Sequence, residues 1–450
     1  MTVGRALLTD LYELRMAASF RRRGMDAPAT FSLFVRELPP ERGFLVACGL
    51  DACLDHLEGL AVDDDDLDAL TALGLDDLTV EALAGLRFTG DVWAVPEGRV
   101  VFAGEPLLEV TAPIAEAQLV ETYLLNQVTF ATAIASKAAR LRLAAADAGL
   151  VDFAFRRTHG SEAAMTVARA SAIAGFDATS NVEAARRFGL RATGTMAHSY
   201  VEAFPSEEDA FRAFAEDNPT NTVLLVDTYD TRTGVRRAID VIVDLGLSAH
   251  AGIRIDSGDL DALARDARRM LDDAGLTETQ IFASGGLDEY AIADLVGAAA
   301  PIDAFGVGTR MGVSEDAPSL ESVYKLVAYD GRPVMKLSTG KATTPGPKQV
   351  FRGAQGTFNQ MRDVIGLRDE TVPEGTDALL VPVMRGGRRT HRETIAAARQ
   401  RFESDLRLLP TPAVQLRNPV EVSVGLSPRA AALTTRISQE LMGRDQASGV

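Results

Sequence analysis

The residues able to do chemistry gather just after short apolar runs. VDFAF (151–155) is followed by Arg156-Arg157-Thr158-His159-Gly160, and ATGTM (192–196) by Ala197-His198-Ser199. AGIRID (251–256) leads into Ser257-Gly258-Asp259, TQIFAS (279–284) into Gly285-Gly286, and IDAFGVG (302–308) into Thr309-Arg310. Arginine carries a permanent charge on a fork of donors, and glycine lets backbone amides approach an anion closely. Arg254 precedes Asp256 by two residues, so a strand places both on one side. Several arginines beside the turns Ser284-Gly285-Gly286 and Gly306-Val307-Gly308-Thr309 suit a ligand with more than one phosphate. Any one turn is also explained by a tight connection and a helix N-cap; it is their joint occurrence that points to a site.

Three more features bear on chemistry. His198 can serve as nucleophile or acid/base, or be a satisfied structural histidine. Asp256 and Asp259 can bind Mg2+ or a ribose diol, while Asp259 can equally cap a helix starting at Leu260. The chain has five lysines, at 137, 325, 336, 341 and 348. Four of them fall near KLSTGKATTPGPK, which reads either as a basic phosphate-contacting loop or as a solvated hairpin. His56, His250 and His391 are assigned no chemistry.

These turns need a scaffold. From Leu150 onward seven short apolar runs (151–155, 176–180, 192–196, 222–227, 251–256, 279–284 and 302–308) alternate with helical stretches, the rhythm of βα units around a parallel sheet. Seven such units predict a barrel, with chemistry at the C-terminal strand ends. Before it, the spacing predicts a helix over 1–24, a strand over 29–37, a β-rich stretch over 88–110 and an Ala-rich helix over 115–148. After residue 313 the β-rich style returns, followed by a helix at 390–408 and a polar tail, DQASGV, expected to be disordered. The expected fold is therefore α/β: an irregular TIM-like barrel over 150–312, with a second α+β, sandwich-like domain formed by 1–149 and 313–450.

Composition limits the partners. The net charge of −17 repels nucleic acid and anionic lipid, so an anionic ligand needs a local basic pocket. No apolar run is long enough to span a membrane, and Asp10, Glu13 and Arg15 break the first apolar stretch, so a cytoplasmic protein is expected. Cys48 and Cys53 read as lying on one helix with diverging side chains, unsuited to a disulfide or a zinc site. The acidic run at 63–66 reads as a solvated face.

Eight blocks in order carry a resemblance: LLTDLYELRMA (7–17), FRRTHGSEAAM (155–165), FDATSNVEAA (176–185), GTMAHSYVEAF (194–204), GIRIDSGDL (252–260), FASGGLDEY (282–290), FGVGTRM (305–311) and VYKLV (323–327). Together they resemble the nicotinate phosphoribosyltransferase family over residues 5–355. The resemblance implies a barrel with a second domain built from both chain ends. It also implies transfer of 5-phosphoribosyl from 5-phosphoribosyl 1-pyrophosphate to nicotinate, coupled to ATP hydrolysis with Mg2+, in NAD salvage. Carried over by motif, Tyr12 stacks on the ring across a dimer interface, with Phe153 as the opposite face. Arg156, Arg157 and Thr158 fall in the block that binds carboxylate or phosphate. His198 is the residue phosphorylated by ATP, and Arg254 and Asp256 contact phosphate and ribose hydroxyls. Ser284, Gly285, Gly286, Gly306, Gly308 and Thr309 hold the 5′-phosphate, while Lys137 and Arg140 contact pyrophosphate. Asp259 is the candidate Mg2+ ligand.

Two other readings compete. A nicotinamide phosphoribosyltransferase shares the fold but, by resemblance, carries an aspartate after the second strand. Here that position is the neutral Ser180, which does not repel a carboxylate. A ligand-binding regulator without turnover is the non-enzymatic alternative.

Overall fold

The computed structural model describes residues 5–337, 343–355 and 360–448. Two compact units divide the chain: Met1–Ser136 with Ser319–Val450, and Lys137–Pro318.

In the first unit the two chain ends interleave in one seven-stranded antiparallel sheet. Its order is Arg332–Pro333, Ser322–Tyr329, Pro28–Val35, Pro106–Pro113, Asp91–Ala94, Val381–Arg385, Arg388–Arg389. Pro28–Val35 lies in its middle and is buried on both faces, hence the apolar run Phe31, Leu33, Val35. Phe31 stacks on Tyr324 at 4.8 Å, and the Tyr324 hydroxyl donates to the Ala117 carbonyl at 2.8 Å. A separate four-stranded sheet runs Thr376–Ala378, Lys348–Gln355, Gln360–Leu367, Gly425–Leu426.

Several sequence expectations change here. The first helix is Leu11–Arg22, and the long Ala-rich helix is split into Ile114–Leu119 and Glu121–Ala145. Cys48 lies outside the helix Leu50–Glu58 that holds Cys53. Asp63 and Asp66 form a reciprocal capping box on the helix Asp64–Ala72, and Asp66 is buried, so the acidic run is a helix start and not only a solvated face. Lys348 is withdrawn from any phosphate loop, because its ammonium is buried and paired with Glu109 at 3.1 Å. Burial pulls that ammonium below the usual lysine range, though Glu109 acts against it. Lys341 lies outside the described residues. The tail expected to be disordered is helical to Ser448, in the helix Pro428–Ser448.

His56, buried on the helix Leu50–Glu58, stacks on Tyr123 at 3.6 Å. Burial, helped by the charge of Arg5, pushes its imidazole from 6.5 down to about 4. The folded state therefore resists a proton that the unfolded chain accepts. Stability is full above about pH 6.5 and falls toward pH 4, by on the order of 3 kcal/mol. His56→Phe keeps the stack without titrating. It is expected to flatten the fall in melting temperature between pH 7 and pH 5; an unchanged profile would contradict this.

The second unit holds a curled parallel sheet of six strands, in the order Ala178–Thr179, Gly149–Asp152, Ala304–Val307, Gln280–Ala283, Ala251–Ile255, Thr222–Leu225. The first and last strands of this unit are neighbours, which bends the sheet round. The third run, 192–196, is not a strand and contributes only a bridge between Ala192 and Thr179. With Thr193, Gly194 and Thr195 it offers little apolar surface, and Met196 alone turns into the core. The sheet is thus open between Ala178–Thr179 and Thr222–Leu225. Asn181, Asp230, Asp259 and Asp288 each cap the helix that follows a strand.

Candidate active site

The polar strand ends of the second unit converge on a cavity of about 220 Å3. Phe153, Arg156, Arg157, Arg254, Asp256, Ser284, Gly285, Gly286, Gly306, Gly308 and Thr309 line it, all foreseen, together with Leu287 and Arg310, which sequence reasoning left unassigned. Four arginines against one carboxylate make the lining strongly cationic, a local exception to the net charge of −17.

Arg254 organises this lining. Its Nε donates to Ser284 Oγ (2.8 Å), one terminal nitrogen to Thr195 Oγ1 (2.7 Å) and the other to Asp256 Oδ1 (2.6 Å). Ser284 Oγ donates in turn to the same Asp256 oxygen at 2.5 Å, and the guanidinium lies over the Phe153 ring at 5.6 Å. Burial raises the Asp256 carboxyl, but hydrogen bonds from Ser284 and Arg254, then the charges of Arg254 and His198, leave it below the usual carboxylate range. Asp256 is therefore an anion at neutral pH. Beneath it, Asp227 Oδ2 accepts from the Asp256 N–H (2.9 Å) and the Ser257 hydroxyl (2.6 Å). Asp227 Oδ1 is buried with no hydrogen-bond partner among the described residues.

The glycines serve different ends. Gly285 and Gly286 have φ of +94° and +64°, and a Cβ at Gly285 would lie 1.8 Å from the Asp256 carbonyl oxygen. Gly306 is needed for another reason: its Cβ would sit 2.5 Å from the Phe153 ring, so this glycine seats the aromatic face. Gly312 makes room for Ala154 in the same way. Arg310, the second residue of the short helix Thr309–Gly312, pairs with Asp288, the residue that caps the helix Glu289–Gly297.

Other predicted residues sit differently. His198 does not end a strand; it opens the helix His198–Glu202, and its Nδ1 lies 3.2 Å from Thr228 Oγ1. The Thr158 hydroxyl donates to the Ala154 carbonyl at 3.0 Å and closes the turn that carries Arg156 and Arg157. Ser180 follows the edge strand Ala178–Thr179, outside the residues that line the cavity, with its N–H on the Asp152 carbonyl at 2.8 Å. Asp259 is an exposed N-cap whose Oδ1 accepts from Ala262 N–H. Lys137 and Arg140 are buried and committed to Glu289, at 2.5 and 2.8 Å, with Lys137 also on Asp316 at 2.8 Å. Their charges are neutralised there, so the structure gives them a partner other than a pyrophosphate. Tyr12, in the first unit, is 46% exposed on the helix Leu11–Arg22. Burial of its hydroxyl, with the charges of Glu121 and Glu13, pushes its pKa well above the usual phenol range.

A curled parallel sheet whose strand ends carry four arginines, two left-handed glycines and one ionised carboxylate defines an enzyme of the class that handles phosphorylated small molecules. Comparison with known proteins narrows the class. The family model described as the N-terminal domain of nicotinate phosphoribosyltransferase matches residues 7–129, and the family's main model matches 148–365. A nicotinate phosphoribosyltransferase of Mycobacterium tuberculosis is 49% identical over 410 residues, covering 90% of this chain and 88% of its own. One of Bacillus subtilis is 45% identical over 378 residues, covering 82% and 77%. The crystal structure of human nicotinic acid phosphoribosyltransferase matches with a TM-score of 0.86 at 29% identity, covering 96% of this chain and all of that one. The chain belongs to the nicotinate phosphoribosyltransferase family. Its reaction joins nicotinate to 5-phosphoribosyl 1-pyrophosphate, giving nicotinate mononucleotide and pyrophosphate, a step of NAD salvage. Among the described residues no helix is long and apolar enough to cross a membrane.

Proposed function

We propose that the cationic cavity binds 5-phosphoribosyl 1-pyrophosphate and that His198 couples its use to ATP hydrolysis. The observation that carries this reading is the interlock of Arg254, Ser284 and Asp256 beside Phe153. Asp256 accepts the ribose hydroxyls, the Ser284-Gly285-Gly286 turn and the Gly308-Thr309 amides hold the 5′-phosphate, and Arg156 and Arg157 meet the remaining anionic groups. Phe153 offers a flat face to the pyridine ring. Displacing pyrophosphate builds positive charge at the ribose C1, so catalysis asks for neutralisation of the leaving group and alignment of the ring nitrogen, with little proton transfer. This agrees with a lining of cations, backbone amides and one carboxylate.

The donor set fits Mg2+. The orphaned Asp227 Oδ1 beside the ionised Asp256 is the hard-oxygen pairing this ion takes, together with substrate phosphates and water. Asp227 and Asp256 would hold the ion, which would supply charge neutralisation on pyrophosphate. Asp259 is the poorer ligand, since its Oδ1 is used by the helix cap. His198 Nδ1 is engaged by Thr228, which leaves Nε2 as the nucleophile toward ATP.

The curled sheet is read as an irregular TIM-like barrel that failed to close at 192–196. The two chain ends form the second, sandwich-like α+β domain. Exposed Leu8, Leu11, Tyr12 and Met16 form an apolar stripe suited to a second copy, so the active form is a homodimer in which Tyr12 faces the partner's ring site. The enzyme works in the cytoplasm, with nicotinate, 5-phosphoribosyl 1-pyrophosphate and ATP as its small-molecule partners.

Base choice follows from the arginines and the neutral Ser180. In parallel assays of the two bases, kcat/KM for nicotinate is expected to exceed that for nicotinamide by at least about tenfold, the scale of one placed charge. Equal values would refute the selectivity and favour the nicotinamide reading; binding without turnover of either base would favour a regulator.

A further inference from the structure

We propose that Thr179, gripped by the buried carboxylate of Asp152, is the residue that positions Ser180 relative to Phe153 and thereby sets base selection. This rests on the reading of Phe153 and Ser180 as contacts to the base. The strand Ala178–Thr179 is only two residues long and is the last in its sheet, paired to Gly149–Asp152 through Val151↔Ala178 and Asp152↔Thr179. Beyond so short a ladder, which the bridge from Thr179 to Ala192 extends by one residue, side-chain hydrogen bonds add to the backbone bonds that hold the following loop. Asp152 is 1% exposed, and both its oxygens are used. Oδ1 accepts from the Ala154 N–H at 2.8 Å, the residue just after Phe153, and Oδ2 accepts from the Thr179 hydroxyl at 2.7 Å.

The chain of contacts continues past Ser180. Thr179 Oγ1 also accepts from the Asn181 N–H at 3.0 Å, and the Ser180 N–H donates to the Asp152 carbonyl at 2.8 Å. Ser180 is thus bracketed on both sides by one hydroxyl and one aspartate. The same aspartate fixes the turn after the aromatic face, so the two loops move as one. Burial raises the Asp152 carboxyl, and the bonds from Ala154 and Thr179 act against that rise. Phe153 lines the cavity, whereas Asp152, Thr179 and Ser180 stand behind its lining; the Asp152 carboxylate and the Thr179 hydroxyl are spent on the backbone and on each other, so their role is positioning and not contact.

Steady-state kinetics of the full chain with nicotinate, nicotinamide and 5-phosphoribosyl 1-pyrophosphate varied in turn test this. Thr179→Val removes the hydroxyl at nearly constant volume. It is expected to raise KM for nicotinate about tenfold and to narrow the nicotinate-to-nicotinamide ratio by a similar factor, while KM for 5-phosphoribosyl 1-pyrophosphate moves by less than about twofold. Thr179→Ser restores the hydroxyl and is expected to bring KM for nicotinate back to within about threefold of the parent. Thr179→Ala carries the same test if the valine variant does not fold. A uniform loss of kcat on both bases with an unchanged base ratio would show a merely structural clamp and overturn the proposal. Phe153→Ala separates the two levels. If it raises KM for nicotinate while Thr179→Val does not, only the positioning role falls; if it leaves KM unchanged, the base lies elsewhere and both readings fall.

Discussion

Replacing Arg254 by alanine is expected to lower kcat/KM for 5-phosphoribosyl 1-pyrophosphate by about three orders of magnitude, roughly 4 kcal/mol of transition-state stabilisation. Three nitrogens of this side chain are spent on Ser284, Thr195 and Asp256, and its plane covers Phe153. Alanine removes one cation from a lining that must neutralise pyrophosphate, and it also frees the groups that Arg254 arranges. Asp256 then keeps only the Ser284 hydroxyl on its Oδ1, and its carboxyl rises toward the ordinary range. Lysine is no remedy, because a single ammonium cannot serve three acceptors at fixed angles, so Arg254→Lys should fall within about tenfold of the alanine variant. Kinetics on variants shown to melt within a few degrees of the parent decide the matter. A loss below about tenfold for Arg254→Ala would remove this arginine from the centre of the site.

His198→Ala is expected to abolish ATP hydrolysis linked to turnover and to raise KM for 5-phosphoribosyl 1-pyrophosphate, while ATP-independent transfer persists. In the proposed step the Nε2 lone pair forms a bond to the γ-phosphorus as the bond to the β,γ-bridging oxygen breaks and ADP leaves. Water later cleaves the N–P bond to give phosphate. Nδ1 lies 3.2 Å from Thr228 Oγ1, which leaves Nε2 as the nitrogen that takes the phosphoryl group. Residual transfer persists because Arg254, Asp256 and the glycine turns do not depend on the imidazole for their places. The ratio of ADP to nicotinate mononucleotide, measured with His198→Ala and with the near-isosteric His198→Asn, is the readout. A parental ratio in the alanine variant would return His198 to a structural role.

The strand-end turns were legible because their signals are local. Arg156-Arg157, Arg254 with Asp256, and the glycine pairs announce themselves by residue type and by a spacing of one or two, and the cavity brings them together. Arg310 was visible in the same turn as Thr309 yet went unassigned, since nothing in the sequence separates an arginine that lines a cleft from one that faces solvent. Asp227 reads as the last residue of a strand. Only the neighbouring strand, nearly thirty residues on, shows that it supports Asp256 from below.

What the sequence by itself determined is what repeats within a few residues: six of the seven runs expected as strands in the second unit, the helix cap at Asp259, and which blocks carry the family's chemistry. What only the tertiary structure decided depends on contacts between residues far apart in the chain. Lys137 and Arg140 look like anion ligands on a helix until the fold places Glu289, 152 and 149 residues away, against them. Lys348 looks like a loop lysine until Glu109 meets it from another strand of the chain. Gly306 reads as part of a phosphate turn, and only the fold shows that its missing side chain also leaves room for Phe153. The third run, 192–196, looks like a strand, yet the curled sheet stays open there because those residues have too little apolar surface to hold a place in it. In each case the charge or shape of a residue is local information, but whether it is neutralised, filled or left to meet a ligand is set by burial against distant partners, where an unpaired charge costs far more than in water.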